Sequence, residues 1–483
     1  MLFNSTEFLL FLPIVFCLYW FVFKERKLQN LLILFASYVF YGWWDWRFLL
    51  LIAFTSFCSF FSGILIERSE GRRHWQRIIS AANIVVNLVV LGVFKYYNFF
   101  VDSLNTVLEA IFHYQLDGLT LNLILPVGIS FYTFQALSYS IDVYQEKLPA
   151  THDPIEFSAY ISFFPQLVAG PIERATNLLP QFQQNRRFDY AKAVDGCRQM
   201  LWGFMKKILI ADNCAIVVNE HWANYQDYSG LTLLLVAILF TFQIYCDFSG
   251  YSDIAIGCAR LFGFNIMRNF DVPYFSRSIP EFWRRWHISL TTWFRDYIYF
   301  PLGGSRCNKA KVIRNVFIVW TISGLWHGAS WHFVCWGIYH ATLLAIYNIF
   351  GISTKYKNVV AYERYLPNLK ETVQMILTFL LAVFGWIIFR AESMPQALDY
   401  FLCMITHPGS TQKDLNHLVL LTTIPFIIEW IQRDKQHALQ FPDCKMFRLR
   451  FVRWVIYLSI LLATYVSYIL NIEDDNTFIY FQF

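Results

Sequence analysis

The chain has 483 residues, 57% of them hydrophobic, 19% aromatic and only 15% charged, whereas soluble domains hold about 45–50% apolar and about 25% charged residues. That composition excludes an ordinary soluble enzyme and predicts an all-α polytopic membrane protein, with 49 Phe, 28 Tyr and 17 Trp for lipid-facing surfaces, interfacial belts and tunnel walls. The net charge of +5 is modest and gathers in a few loops, so it reads as topology rather than nucleic-acid binding.

From the N-terminus, Met1 to Phe23 lacks a basic n-region, contains Glu7 and places Lys24, Arg26 and Lys27 after its apolar run, which predicts a retained first span with its N-terminus outside. Segments of roughly the 17–25 apolar residues that cross a bilayer follow in order. They lie at 5–23, 29–44, 48–66, 78–99, 124–145, 198–218, 230–248, 313–331, 333–351, 371–390, 416–431 and 454–470, about twelve crossings, some short enough to be tilted, broken or re-entrant. The piece 155–170, interrupted by Pro165 and Gly170, is read as re-entrant, because irregular backbone at membrane depth is tolerated only inside protein or along a cavity.

Loops 24–28, 67–77, 352–370 and 432–453 are net basic, and segment 264–314 carries nine basic residues against three acidic ones. The positive-inside rule makes these loops cytoplasmic. Loops near 100–122 and 220–229, and the tail with Glu473, Asp474 and Asp475, are acidic or neutral and fall outside, which predicts that both termini are extracytoplasmic. No repeat, low-complexity linker or soluble domain interrupts the pattern, so 1–483 reads as a single membrane domain.

Four polar stretches stand out along the chain. In 126–145, Ser130, Thr133, Gln135, Ser138 and Ser140 run through a span, a polarity that fits interhelical hydrogen bonding or a pore lining. In 241–257, Asp247, Ser249, Ser252 and Asp253 sit beside Gly250; these could line a tunnel or mark a helix break with its own caps. The stretch FWRRWHISL sets His287 among Arg284, Arg285, Trp283 and Trp286. As a helix it is amphipathic and basic, suited to holding an anionic donor or to anchoring at lipid headgroups. Finally SGLWHGASW puts His327 inside an apolar run, and on one helix its face would also carry Trp320, Ser323, Gly324, Ser330 and Trp331. An ionisable group at membrane depth is a functional-site hypothesis. A neutral imidazole there could take a proton from an attacking hydroxyl, or serve as a structural hydrogen-bonding group between helices.

Absences narrow the chemistry. No GxSxG elbow, GxxxxGK[ST] loop or HExxH occurs. His327 and His332 are five residues apart, about 140° around a helix, which argues against a helix-borne zinc pair. The ten cysteines form no CxxC pairs, and those in apolar runs, such as Cys17, Cys58 and Cys335, read as small buried hydrophobes.

At WRRWHISLTTWFRDYIYFPLGG and GLWHGASWHFVCWG the sequence resembles the membrane-bound O-acyltransferase family, in the bacterial branch that includes the alginate O-acetyltransferase membrane subunit. PVGISFYTFQALSYSIDVY, FFPQLVAGPIER, IYCDFSGYSDIAIG, GWIIFRAES and the terminal FIYFQF agree, with a signature core over about 126–331. The resemblance implies a funnel-like helical core in the bacterial cytoplasmic (inner) membrane, with His327 as the catalytic histidine and His287 as a second signature position. It implies no bound cofactor or metal. The donor, acetyl-CoA or an acyl carrier protein, is then a thioester substrate arriving from the cytoplasm. The acceptor is an extracytoplasmic polysaccharide, often reached through a separate SGNH-type hydrolase-like acyltransferase. Arg284, Arg285, Trp326, Ser323, Ser330, Asp247, Arg295 and Asp296 are the candidate substrate- or donor-binding residues, Ser323 and Ser330 being candidates to steady an oxyanion. Two alternatives stay open: D-alanyl transfer to teichoic acid from a carrier protein, and a non-catalytic transporter or export scaffold.

Overall fold

The computed structural model describes residues 1–483 apart from 115, 117, 122, 169, 353–355, 357, 412, 442–448, 472–477 and 480–483, and among the described residues it is helical with no strand. The acidic tail and most of FIYFQF, on which two sequence readings rest, lie outside the described residues. The rest falls into two compact units, Met1–Ala193 with Ala259–Ile266, and Val194–Cys258 with Met267–Phe483.

The first unit contains α1 (Thr6–Cys17), α2 (Arg26–Asp45), α3 (Leu49–Arg68), α4 (Arg73–Leu91), α5 (Tyr97–Phe112), α6 (Ile129–Tyr144), α7 (Pro154–Ile161), α8 (Phe164–Leu167) and α9 (Ala175–Gln183). Local chemistry sets several of these boundaries. Ser5 caps α1 by accepting from Phe8 N–H, and Asp153 caps α7, whose first residue is Pro154, where a missing N–H costs nothing. The predicted re-entrant piece is the pair of short, buried helices α7 and α8. In α6 the polar residues named above are buried, and two of them bond to neighbouring helices: Gln135 donates to the Tyr160 carbonyl at 2.7 Å, and Ser62 Oγ on α3 donates to Ser140 Oγ at 3.3 Å. Those bonds favour interhelical bonding over a pore lining for this stretch.

The second unit is built mainly from α10 (Tyr190–Phe204), α11 (Asp212–Ala223), α12 (Gly230–Leu261), α13 (Ile279–Arg285), α14 (Ile288–Phe294), α15 (Lys309–His327), α16 (Trp331–Ile349), α17 (Leu369–Arg390), α18 (Met394–Thr406), α19 (Lys413–Ile431) and α20 (Arg450–Leu470). A π turn at Met205–Ala211 joins α10 to α11. The predicted helix break in 241–257 does not occur, since α12 runs unbroken for 32 residues. Gly250 is there for close packing: a Cβ on it would lie 2.8 Å from the Gly203 carbonyl of α10.

By length and composition, five helical stretches among the described residues can cross a membrane: Arg26–Arg68, Arg73–Phe112, α12, α17 and α20. The first contains both α2 and α3 around the turn Trp46–Phe48, so it covers two of the predicted crossings. At 1.5 Å per residue the 22 residues of α17 extend about 33 Å, against a hydrocarbon core of about 30 Å. α15 and α16, 19 residues each, turn Asn315, Ser323, His327, His332 and His340 into the protein. One cysteine reading is corrected: Cys17 is exposed at the end of α1, and Cys58 and Cys335 are half-buried, where apolar surface facing lipid needs no burial in protein.

Candidate active site

The basic, aromatic stretch around His287 is not one amphipathic helix. α13 starts at the Ser278 cap, whose side chain accepts from Glu281 N–H, and it stops at Arg285. His287 then adopts φ 45° and ψ 52°, and α14 starts at the next residue. A left-handed conformation costs a non-glycine residue about 1–2 kcal/mol, so neighbouring structure must hold it. The segment after Met267 does so: the Asn269 carbonyl accepts from Ile288 N–H at 2.9 Å, Asn269 Oδ1 accepts from Ser289 N–H at 3.3 Å, and Asp271 N–H donates to the Arg285 carbonyl at 2.9 Å. Trp283 and Trp286 are consequently core residues, not an interfacial belt.

His327 is the last residue of α15, and Gly328 continues in extended conformation. The predicted helical face therefore ends early. Ser330 is the N-cap of α16 and pairs with His332 Nδ1 at 2.8 Å, while Trp331 is 59% exposed. The glycine of the Trp-His-Gly triplet is required by close approach, since a Cβ on Gly328 would lie 2.0 Å from a ring carbon of Phe333. The His327 ring is buried among aromatic neighbours, with centroids 5.0 Å from Trp336 and 5.3 Å from Phe389.

His287 and His327 line the same cavity, of about 200 Å³, together with Ser323 and Arg295. Its lining is aliphatic at Leu290, Val316 and Val319 and aromatic at Trp283, Trp286, Phe294, Tyr299 and Trp320. The aromatic part is fixed in place. Trp283 Nε1 donates to His340 Nδ1 at 3.3 Å, and its ring packs edge-on against Trp320 at 4.4 Å and Trp336 at 5.5 Å. His287 lies between spanning helices and is 1% exposed; burial lowers its pKa to about 3, so the ring is a neutral imidazole at working pH. A mostly apolar cavity with two imidazoles in its lining suits proton transfer to or from a bound neutral group.

The other predicted residues are distributed as follows. Trp326 lies outside the cavity, its ring 5.9 Å from His287 and 4.9 Å from His327. Asp296 pairs with Arg295 at 2.8 Å at the cavity margin. Arg284 is exposed, whereas Arg285 is buried and bridges Glu281 at 3.2 Å and Asp271. Asp247 is elsewhere in this unit: it faces Lys207 Nζ at 2.9 Å and accepts from Ile479 N–H at 2.8 Å, and Lys207 also meets Asp212 at 2.9 Å. Ile479 is preceded by Phe478, whose ring packs on Tyr251 at 4.5 Å and Phe248 at 6.0 Å, and Phe248 stands edge-on to His287 at 4.7 Å.

Sequence reasoning passed over Asn269 and His340. Nothing local marks Asn269, which acts 18 residues downstream at His287. His340 carried the same signal as His327, an ionisable residue inside an apolar run, and deserved the same treatment.

Residues 35–378 match the family model MBOAT, membrane-bound O-acyltransferase family. The chain is 42% identical over 417 residues to the probable alginate O-acetylase of Pseudomonas aeruginosa, covering 86% of this chain and 77% of that protein. It is 30% identical over 448 residues to a peptidoglycan O-acetyltransferase of Helicobacter pylori, 86% and 82% of the two chains. To a teichoic acid D-alanyltransferase of Bacillus subtilis it is 30% identical over 290 residues, 56% and 70%.

Proposed function

The chain belongs to the membrane-bound O-acyltransferase family and is a multi-pass membrane acyltransferase, and on that premise we propose that it moves an acyl group, acetyl in the simplest case, from a cytoplasmic thioester to hydroxyls of an extracytoplasmic polysaccharide. The observation that carries this reading is the meeting of His287 and His327 at one cavity. In the proposed reaction His327 takes the proton of the acceptor hydroxyl as its oxygen attacks the thioester carbonyl. The tetrahedral intermediate collapses with loss of the thiolate, which receives the proton back from the imidazolium. Ser323, which lines the same cavity, would steady the oxyanion, and His287 would orient the thioester. Arg295, which lines the cavity, and Arg284, which is exposed, would meet an anionic donor, acetyl-CoA or an acyl carrier protein, whereas Arg285 is buried between Glu281 and Asp271.

The polysaccharide acceptor is supported by likeness to the alginate and peptidoglycan O-acetyltransferases. An SGNH-type hydrolase-like partner outside the membrane would complete delivery to the polymer, and the cytoplasmic (inner) membrane would be the site. A second reading, D-alanyl transfer to teichoic acid from a carrier protein, is supported by the Bacillus subtilis relative, which aligns with a smaller share of this chain.

The test is the ester-linked acyl content of surface polysaccharide in cells with the wild-type gene, a deletion or His327→Ala. Loss of acetate in both mutants is expected. Full acylation in a folded, inserted His327→Ala protein would remove His327 from the chemistry, and loss of alanine esters instead of acetate would select the second reading.

A further inference from the structure

Behind His287, three polar side chains are arranged so that only one proton placement is self-consistent. Asn269 is fully buried. Its Oδ1 accepts from Ser289 N–H at 3.3 Å and from Ser289 Oγ at 2.8 Å, its Nδ2 donates to Ser252 Oγ at 3.2 Å, and His287 Nδ1 lies 3.1 Å from the same Oδ1. A backbone N–H can only donate, so the Asn269 atom facing Ser289 N must be the carbonyl oxygen; the reversed amide would set NH₂ against N–H. An oxygen that can only accept sits 3.1 Å from Nδ1 without repulsion only when Nδ1 carries the proton. Ser289 Oγ, 3.4 Å from Nδ1, has its single hydrogen on Oδ1 and therefore turns a lone pair toward the ring as well.

We infer that Asn269 is a positioning residue for His287, fixing the imidazole as the Nδ1–H tautomer so that Nε2 is its proton-accepting nitrogen. A neutral imidazole has one proton, and the hydrogen bond made by one nitrogen decides the state of the other. The rings of Phe248, Phe270 and Trp326 also pack around it, and they confine the ring plane without selecting a tautomer. The same residue supplies the acceptors for the first two N–H groups of α14, its main-chain carbonyl for Ile288 and its side-chain oxygen for Ser289, so orientation of the backbone at His287 and protonation of its ring are set at one position. The functional weight of this inference rests on the reading that His287 serves acyl transfer; the tautomer itself does not.

Solid-state NMR of the full-length protein in lipid bilayers, with isotope-labelled histidine nitrogens, reads the tautomer directly, the difference spectrum against His287→Ala assigning the ring. A protonated Nδ1 and a bare Nε2 are expected in the wild type and in Asn269→Asp, and the opposite tautomer or a mixture in Asn269→Leu. An Nε2–H ring in the wild type overturns the inference, as does an unchanged ring in Asn269→Leu. Acetyl transfer from acetyl-CoA in the same preparations supplies the second readout. Asn269→Leu should lose about 100-fold in kcat, with KM for acetyl-CoA within about twofold, and Asn269→Asp should recover to within about tenfold of wild type. Wild-type turnover in Asn269→Leu beside an inactive His287→Ala overturns the positioning role. Wild-type turnover in His287→Ala overturns instead the reading that His287 serves transfer. If Asn269→Leu does not fold, Asn269→Asp decides: its added charge should make the ring titrate at least about one pH unit higher in the spectrum, and no shift overturns the contact.

Discussion

His327 was legible because an ionisable side chain in an apolar run stands out, and His287 because its neighbours resemble a family signature. The geometry around them was not. The left-handed turn at His287 depends on Asn269, 18 residues away in sequence, and no local pattern announces a cap supplied from another segment. Similarly, nothing local in the sequence says why position 328 is glycine: it makes way for the ring of Phe333. Gly328→Ala should therefore destabilise the protein by about 1–3 kcal/mol through overpacking, and Phe333→Leu in the same chain should recover part of it; thermal unfolding in detergent measures both. The burial of His287 also sets a pH dependence of stability. Its folded pKa is lowered to about 3 while an unfolded histidine titrates near 6.5, so the unfolded chain binds the proton first. That contribution is fully present above about pH 6.5 and is lost progressively as pH falls toward about 3. His287→Gln should flatten the stability profile in this window, as read by unfolding midpoints across pH.

At the scale of elements, 241–257 shows how sequence misleads. Two aspartates, two serines and a glycine look like a loop, because a carboxylate inside a helix of a membrane protein is costly unless paired. The partners sit on another helix: Lys206 meets Asp253 at 2.6 Å and Lys207 meets Asp247 at 2.9 Å, which lets α12 continue unbroken. Asp247→Ala would leave Lys207 with Asp212 alone and free the Ile479 amide, and a loss of about 3–5 kcal/mol is expected. Asp247→Asn, which keeps an acceptor for Ile479, should lose less. Equal unfolding temperatures for the two variants would show that the charge, and not the tether to Ile479, is what matters. The α15–His327–α16 turn was read one turn too long for a related reason: propensity alone cannot say where Ser330 stops being helix and becomes a cap.

For the whole molecule, composition sufficed to give a helical membrane protein, and hydropathy located most of the long helices, but it took the stretch near 100–122 as a loop where α5 runs from Tyr97 to Phe112, and it passed over α9, α13, α14 and α18. It was less successful in ranking them. α15, which turns Asn315, Ser323 and His327 inward and carries part of the site, is not among the described stretches apolar enough to cross by composition alone. The charge pattern further predicts that a cysteine introduced at Asn476, with native cysteines removed, is labelled by an impermeant thiol reagent in intact cells; labelling only after lysis would reverse the topology. Finally, the aromatic and aliphatic parts of the cavity lining are unequal as starting points for protein engineering. The Trp283 side is keyed to His340 and wedged against Trp320 and Trp336, so trimming it disturbs several partners at once. Leu290, Val316 and Val319 hold their side by shape alone, so libraries aimed at bulkier acyl groups should be concentrated there.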